Sequence, residues 1–545
     1  MPTLPPTSLL TSARAASPKL SDKVAVATLQ QPKSQPISRD TTHMPSASTV
    51  RGRTSTTGGA STSRLRAGSP ADLVRTNAMA GGARIDRVNP LTGARTDHVD
   101  EDAAFEAQAR RDAAGGIVTV DLSKVRDNYR YGVLMIGDAR PSAVVKANGY
   151  GLGADIMART LVSEGCREFF VARASEAVDL RASLKRDRPD RVDEVAINVL
   201  DGLVPGSNPK WLMKHKITPV LNSLDQVRAW NAAGAAENRK LPAILQFDSG
   251  MSRAGMSRDL HGNSELEQLL KDVDEGRLQN IDVKLVMTHL SDSGDAPAVP
   301  GAPNNTVRQP GEKSAQQLEA FDRIADQVVA RFPDARKSIG ASSTVFLDPK
   351  FHKDLVRMGG TFHGQAPFEA ETNPLAQVVR LEAKLDQIHT YEKGARAGYG
   401  GTWEVTRDQE RHATFGLGYT DGLPRLANGN DDQNRPYAKV TGKSGRQYDA
   451  PLVSKLSMDM LSLDLTDIPA DELSPGAKVT LIGDGITSDH FGAMFRTNPS
   501  EPQVKFSDRL VMDFVDKNAP KPHDEPNPGA SPNVWGPQHE TAAAG

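Results

Sequence analysis

From Gly116 to about residue 370 the chain repeats one local pattern, a short apolar run followed by a longer stretch with helical spacing. The runs are GIVTVDL, AVVKA, FFVA, VAINVL, ITPVLN, AILQFDSG, KLVMTHL and the region from IGASS to RMGGTFHG. Between most of them lie segments such as ADIMARTLVSEG, EAVDLRASLKR, SLDQVRAWNAAG and QQLEAFDRIADQVVARF. Runs that are apolar at consecutive positions suit strands covered on both faces. About eight β-then-α units over about 250 residues fit a (β/α)8 barrel. The expected fold class is therefore α/β, with GIVTVDL as the first strand of the repeat and AVVKA as the second. In such a barrel, functional side chains gather where the strands end.

The flanks differ. Residues 371–517 are turn-rich with β-like runs (AQVVRLEAKLDQIHTY, ATFGLGYTDG, KLSMDMLSLDLTD, AKVTLIGD), which predicts a smaller, mostly β domain after a barrel spanning 113–370. Residues 1–112 are rich in Ser, Thr, Ala, Gly and Pro and poor in acids; a segment that buries so little apolar surface is expected to be disordered, as is the tail 518–545. Near the start only SLL is offered as an apolar run, so no secretory signal is expected, and the chain is assigned to the cytoplasm. The same composition also admits an organelle transit peptide or a Ser-rich signal of a needle-type secretion system. A formal net charge of −2 over 545 residues argues against nucleic-acid binding, and no run approaches the roughly 18 apolar residues of a membrane span. The single cysteine, Cys166, makes no intrachain disulfide and reads as structural. No metal site is expected.

The polar residues at the run ends form a set. Lys146 closes AVVK before the turn Asn-Gly-Tyr-Gly; Asp248, Met251 and Arg253 follow AILQF; His289 follows KLVMT; Ser342 and Ser343 follow IGA; Arg357 precedes Gly359 and Gly360. Backbone N–H groups and hydroxyls cradle a phosphate, and a desolvated lysine among cations has a lowered pKa and reacts with an aldehyde. Together they point to pyridoxal phosphate.

These residues stand in stretches that resemble, in order, the motifs of the alanine racemase family. AVVKANGYG resembles its cofactor-lysine motif, DSGMSRAGM its Asp-x-Gly-Met-x-Arg motif and MTHLSDSGD its Thr-His motif. LVRMGGTFHG resembles its arginine-and-phosphate motif, and AGYGGTW, LGYTDGLPR and KLSMDM its three β-domain motifs. The resemblance covers most of residues 116 to about 485. It implies a homodimer with shared active sites, a small amino-acid substrate and D-alanine production. It also implies that Lys146 holds the cofactor and serves as one acid–base, and that Tyr399 from the partner subunit serves as the other. Tyr150, Ser343, Gly359 and Gly360 would take the phosphate, Arg357 the pyridine nitrogen, and Arg253 and the backbone at Met458 the substrate carboxylate. His289 belongs to the cofactor set, and Tyr419 and Arg425 would line the access channel. A tyrosine acting as base needs its pKa lowered, for which His289 and Arg357 are the candidates.

The chain departs from that pattern in three places. Gln246 stands where many members carry a carbamylated lysine beside Arg253, which predicts a looser arginine and a broader substrate range. Ser342 and Ser343 replace an Asn-Ser pair. The family's C-terminal phosphate-binding tyrosine is not recognisable in TSDHFGAMFRTNPSEPQVKFSDRLVMDF. Two other readings use the same scaffold. A basic-amino-acid decarboxylase would place a glutamate where Arg357 stands and a partner cysteine elsewhere than Cys166. A non-catalytic pyridoxal-phosphate carrier would lack the domain that bears Tyr399.

Overall fold

A computed structural model of the chain describes residues 101–292, 309–368, 373–425 and 435–517. The segment up to residue 100, the tail from 518 and most of the Pro/Gly-rich insertion after His289 lie outside the described residues.

Eight parallel strands form a ring: β2 (Arg140–Val144), β3 (Glu168–Val171), β4 (Ala196–Val199), β5 (Ile217–Leu221), β6 (Leu241–Gln246), β7 (Ile281–Met287), β8 (Arg336–Ser338) and β9 (Leu355–Met358). From β2 to β8 each pairs with the next in sequence, and β9 returns to pair with β2. The seam between β8 and β9 is closed by Asp354 N to Lys337 O at 3.0 Å and Arg357 N to Gly340 O at 3.1 Å. Helices after the strands cover the outside, because their apolar stripes find the outward faces of strands that are buried on both sides. Inward-facing Val144, Phe170, Val220, Ile244, Leu285, Met287 and Leu355 fill the ring as a cluster of their own. Truncating one of them, Phe170→Ala, would cost about 3–5 kcal/mol.

The first run of the repeat does not belong to the ring. Gly116–Asp121 forms β1, which joins the second domain, so Lys146 ends the first barrel strand rather than the second. The burial of β1 alternates, with Val118 and Val120 covered and Thr119 and Asp121 only partly so. Alternation marks a sheet with one face packed, in contrast to the covered ends of β3 and β4. The end of the N-terminal segment is a helix, Glu101–Ala113, as its content of Ala, Glu, Gln and Arg favours.

The second domain is built on β10 (Val379–Tyr391), β11 (Arg396–Ala397), β12 (Trp403–Glu404), β13 (Glu410–Phe415), β14 (Tyr437–Thr441), β15 (Gln447–Pro451), β16 (Leu461–Asp464), β17 (Lys478–Ile482) and β18 (Val511–Val515). β1 lies between β10, antiparallel, and β18, parallel; β10 continues onward to pair with β13. The stretch that matches no familiar ending folds as two short helices, Ser488–Met494 and Ser500–Val504, before β18. The second helix seats on the lysine turn: a Cβ at Gly151 would meet Gln503 O at 1.9 Å, so only glycine fits there. Gln365 Nε2 donates to Ser500 Oγ at 2.7 Å. Among the described residues no helix is long and apolar enough to cross a membrane.

Candidate active site

The lysine turn is strained. Ala147, Asn148, Gly149 and Tyr150 all adopt left-handed conformations, with φ of 51°, 54°, 63° and 57°. Such geometry costs about 1–2 kcal/mol per non-glycine residue and persists only where surroundings enforce it. Glu176, at the start of the helix Ala174–Asp187, does the enforcing. One of its oxygens accepts from Ala147 N at 2.7 Å and the other from Ala172 N and Arg173 N at 2.8 and 2.9 Å. The sequence reading missed Glu176, although a glutamate three residues into a helix is a known capping signal.

Four cationic or potentially cationic groups meet at this end of the ring. Burial lowers the Lys146 pKa first and the charge of Arg253 lowers it further, against the pull of Glu176 and Asp201. Burial, then Arg357, Arg253 and Lys146, bring His289 down to about 3, so its imidazole is neutral at physiological pH. It therefore adds no positive charge that would lower a tyrosine pKa; of the two candidates only Arg357 remains. Arg357 is fully buried and lowered to about 10, still protonated at neutral pH. Its guanidinium donates to Ser338 Oγ and, at 2.7 Å, to Thr288 O, which fixes its orientation.

Beside the lysine turn lies a glycine cradle. A Cβ on Gly359 would meet the Tyr150 hydroxyl at 2.3 Å and one on Gly360 would meet Gln365 Oε1 at 2.9 Å. Ser342 ties the cradle: its Oγ accepts from Gly359 N at 2.8 Å and Thr361 N at 3.3 Å. Ser343 opens the short 3-10 turn that follows. Burial pushes the Tyr150 phenol up to about 12, which keeps it a hydrogen-bond donor. Its ring lies 4.7 Å from that of His363, whose two nitrogens are buried without a partner among the described residues. A hydroxyl donor, a glycine-floored strand end and an imidazole with unmet hydrogen-bonding capacity fit the phosphate of pyridoxal phosphate; Lys146 fits its aldehyde.

Arg253 lies on a loop shaped by Asp248, whose Oδ1 accepts from Gly250 N, Met251 N and Ser252 N at 2.9, 2.8 and 3.1 Å. Gln246 is buried and donates to Ala254 O at 3.1 Å, steadying the backbone next to Arg253 rather than the guanidinium itself. Tyr399 and Met458 are not part of this cluster. They stand 62% and 50% exposed on the β domain, along with Met460 at 51%. The Met458 carbonyl accepts from Thr420 N at 3.1 Å, so the LGYTDGLPR and KLSMDM motifs adjoin, and within the first Arg425 sits 5.9 Å from the Tyr419 ring.

Residues 120–367 match the family model described as alanine racemase, N-terminal domain, and residues 378–513 match alanine racemase, C-terminal domain. The chain is 39% identical over 370 residues to a catabolic alanine racemase of Rhizobium johnstonii, covering 68% of this chain and 87% of that protein. It is 35% identical over 395 residues to the alanine racemase of Brucella abortus, covering 70% and 88%. Among solved structures, the alanine racemase of Bartonella henselae with covalently bound pyridoxal phosphate superposes with a TM-score of 0.63 at 30% identity, covering 74% of this chain and 100% of that one.

Proposed function

The chain belongs to the alanine racemase family, and from that premise we propose that it interconverts L- and D-alanine with pyridoxal phosphate as cofactor, in a site completed by a second copy. The carrying observation is the half-buried Lys146 amine with its lowered pKa, set beside Arg253, His289 and Arg357. Lys146 would hold the aldehyde; Tyr150, Ser343 and the cradle at Gly359 and Gly360 would take the phosphate. Arg357, permanently charged and donor-only, would face the pyridine nitrogen and leave no proton on it. When bound, the cofactor attaches the substrate amine covalently and acidifies its Cα proton.

Racemisation removes the Cα proton on one face and returns one on the other, which a single tethered amine does poorly. Lys146 serves the face from which the D-enantiomer loses its proton. Tyr399 of the partner subunit serves the other. Its exposure, with Met458 and Met460 exposed in a neighbouring motif of the same domain, supports a role at a subunit interface. Arg253 binds the substrate carboxylate. The equilibrium constant between mirror images is unity, so concentrations set the direction and the same site makes or consumes D-alanine.

Two variants test the shared site together. Lys146→Ala and Tyr399→Phe are each expected to be inactive alone by chiral analysis of the product. Mixed after mild dissociation, they form heterodimers in which one of the two sites has both residues intact, so activity returns. No recovery, with subunit exchange verified, means that each site is built within one chain.

A further inference from the structure

Tyr399 sits in a loop with little stiffness of its own. The loop joins β11 to β12, where Ala397 pairs with Trp403, and Gly398, Gly400 and Gly401 all adopt positive φ, at 74°, 76° and 55°. Glycine-rich backbone has many conformations to lose, so an acid–base group carried on it must be located by what lies underneath. Beneath it is a buried carboxylate that the proposed mechanism does not use. Glu410 on β13 is 1% exposed, and its side-chain hydrogen bonds run to the hairpin, to the connection that follows it and to its own strand. Oε1 accepts from the Trp403 indole Nε1 at 3.2 Å and faces His412 Nε2 at 2.7 Å. Oε2 takes Thr406 N at 3.3 Å and Arg407 N at 3.4 Å, just after β12. The Arg435 guanidinium lies 4.3 Å over the Trp403 ring from the other direction.

Burial works against the charge on Glu410, yet the bonds from His412, Trp403 and the Arg407 backbone hold its carboxyl below the usual range. An ionised group in a β-sheet core is a poor source of stability compared with an apolar pair of the same size. It does supply direction, because Oε1 holds the Trp403 indole of the hairpin while Oε2 holds the backbone N–H groups of the residues that leave β12. We propose that Glu410 is a positioning residue for racemisation: acting through the Trp403 indole, it fixes the base of the Tyr399 loop and so the point at which that phenol is presented to the partner subunit. The inference rests on the reading of Tyr399 as the second acid–base group.

The test uses the full-length, cofactor-loaded enzyme in deuterated water, following exchange at Cα of L- and of D-alanine separately. Trp403→Phe keeps an aromatic ring for Arg435 and removes the N–H donor together with part of the indole, and the Tm measured alongside reports the lost packing. It is expected to slow exchange of the L-enantiomer about tenfold more than that of the D-enantiomer, with KM within about twofold, in the same sense as Tyr399→Phe but to a smaller degree. Glu410→Gln retains one acceptor oxygen and is expected to fall between Trp403→Phe and the unmodified enzyme; should the buried amide impair folding, Trp403→Phe alone decides. Equal slowing of both enantiomers, accompanied by a lowered Tm, reduces the carboxylate to a packing role and overturns the proposal. Tyr399→Phe run alongside separates the two failures. Bias in Tyr399→Phe without bias in Trp403→Phe overturns this inference alone, whereas no bias in Tyr399→Phe removes the base assignment beneath it.

Discussion

Gly359→Ala is the smallest change that tests the phosphate cradle. A methyl group there would begin 2.3 Å from the Tyr150 hydroxyl and 3.0 Å from Cζ, and ordinary contact starts near 3.4 Å, so the hydroxyl must withdraw by about 3.4 − 2.3 = 1.1 Å or the strand end must move. Retreat is obstructed by the His363 ring 4.7 Å away and by the buried setting of the phenol. A shift of that size breaks a hydrogen bond to a phosphate oxygen. A bond to a charged group is worth about 1.5–3 kcal/mol, so the affinity of the cofactor-free protein for pyridoxal phosphate should fall roughly ten- to hundredfold. The visible absorbance of the bound cofactor, titrated into the apoprotein, measures it. Tyr150→Phe deletes the same bond and also the atom in closest conflict, so adding Gly359→Ala to Tyr150→Phe should cost much less than adding it to the unmodified chain. Unchanged affinity in Gly359→Ala, or strict additivity of the two substitutions, would show that Tyr150 does not reach the phosphate from this position.

The buried imidazoles make stability depend on pH. His289 and His363 are held near 3 in the fold, against about 6.5 when unfolded, so below pH 6.5 the unfolded chain takes up protons that the fold refuses. Stability is thus lost as pH falls from about 6.5 towards 3, by roughly 2 kcal/mol per histidine at pH 5. Tm measured between pH 7.5 and 5 checks this; His363→Phe should flatten the slope, and an unchanged slope refutes the assignment. Gln246 holds the Ala254 carbonyl, so Gln246→Leu should raise KM for alanine several-fold while leaving the cofactor absorbance unaltered. A panel of L-amino acids assayed on the unmodified enzyme tests breadth of substrate, and strict preference for alanine would reject the looser-arginine idea.

The barrel was legible because its strands are buried on both faces and write themselves as uninterrupted apolar runs between helical stretches. Lys146 and His289 were legible for a related reason: a strand end is a fixed place, so polar residues just past such runs converge. β1 was misplaced although its alternation Ile-Val-Thr-Val-Asp was plain, because its partners begin only at 379 and 511 and nothing local names them. Glu410 and His412 stayed hidden for the opposite reason. Two polar residues spaced by two on a strand mark a solvated face in an ordinary sheet, and only the hairpin folded over them makes that face interior.

The position of β1 also sets a schedule for synthesis. This strand leaves the ribosome before any part of the ring, yet both strands that flank it come after the ring is complete. A nascent chain therefore carries β1 as an open-edged strand through the whole time the barrel takes to assemble, and an unpaired edge is a template for pairing with other chains. A polypeptide released before residue 378 would keep β1 with both flanks vacant, however well its barrel folded. Misassembly during translation is thus expected to involve Gly116–Asp121 before any strand of the ring, which would make that hexapeptide a natural client site for a chaperone.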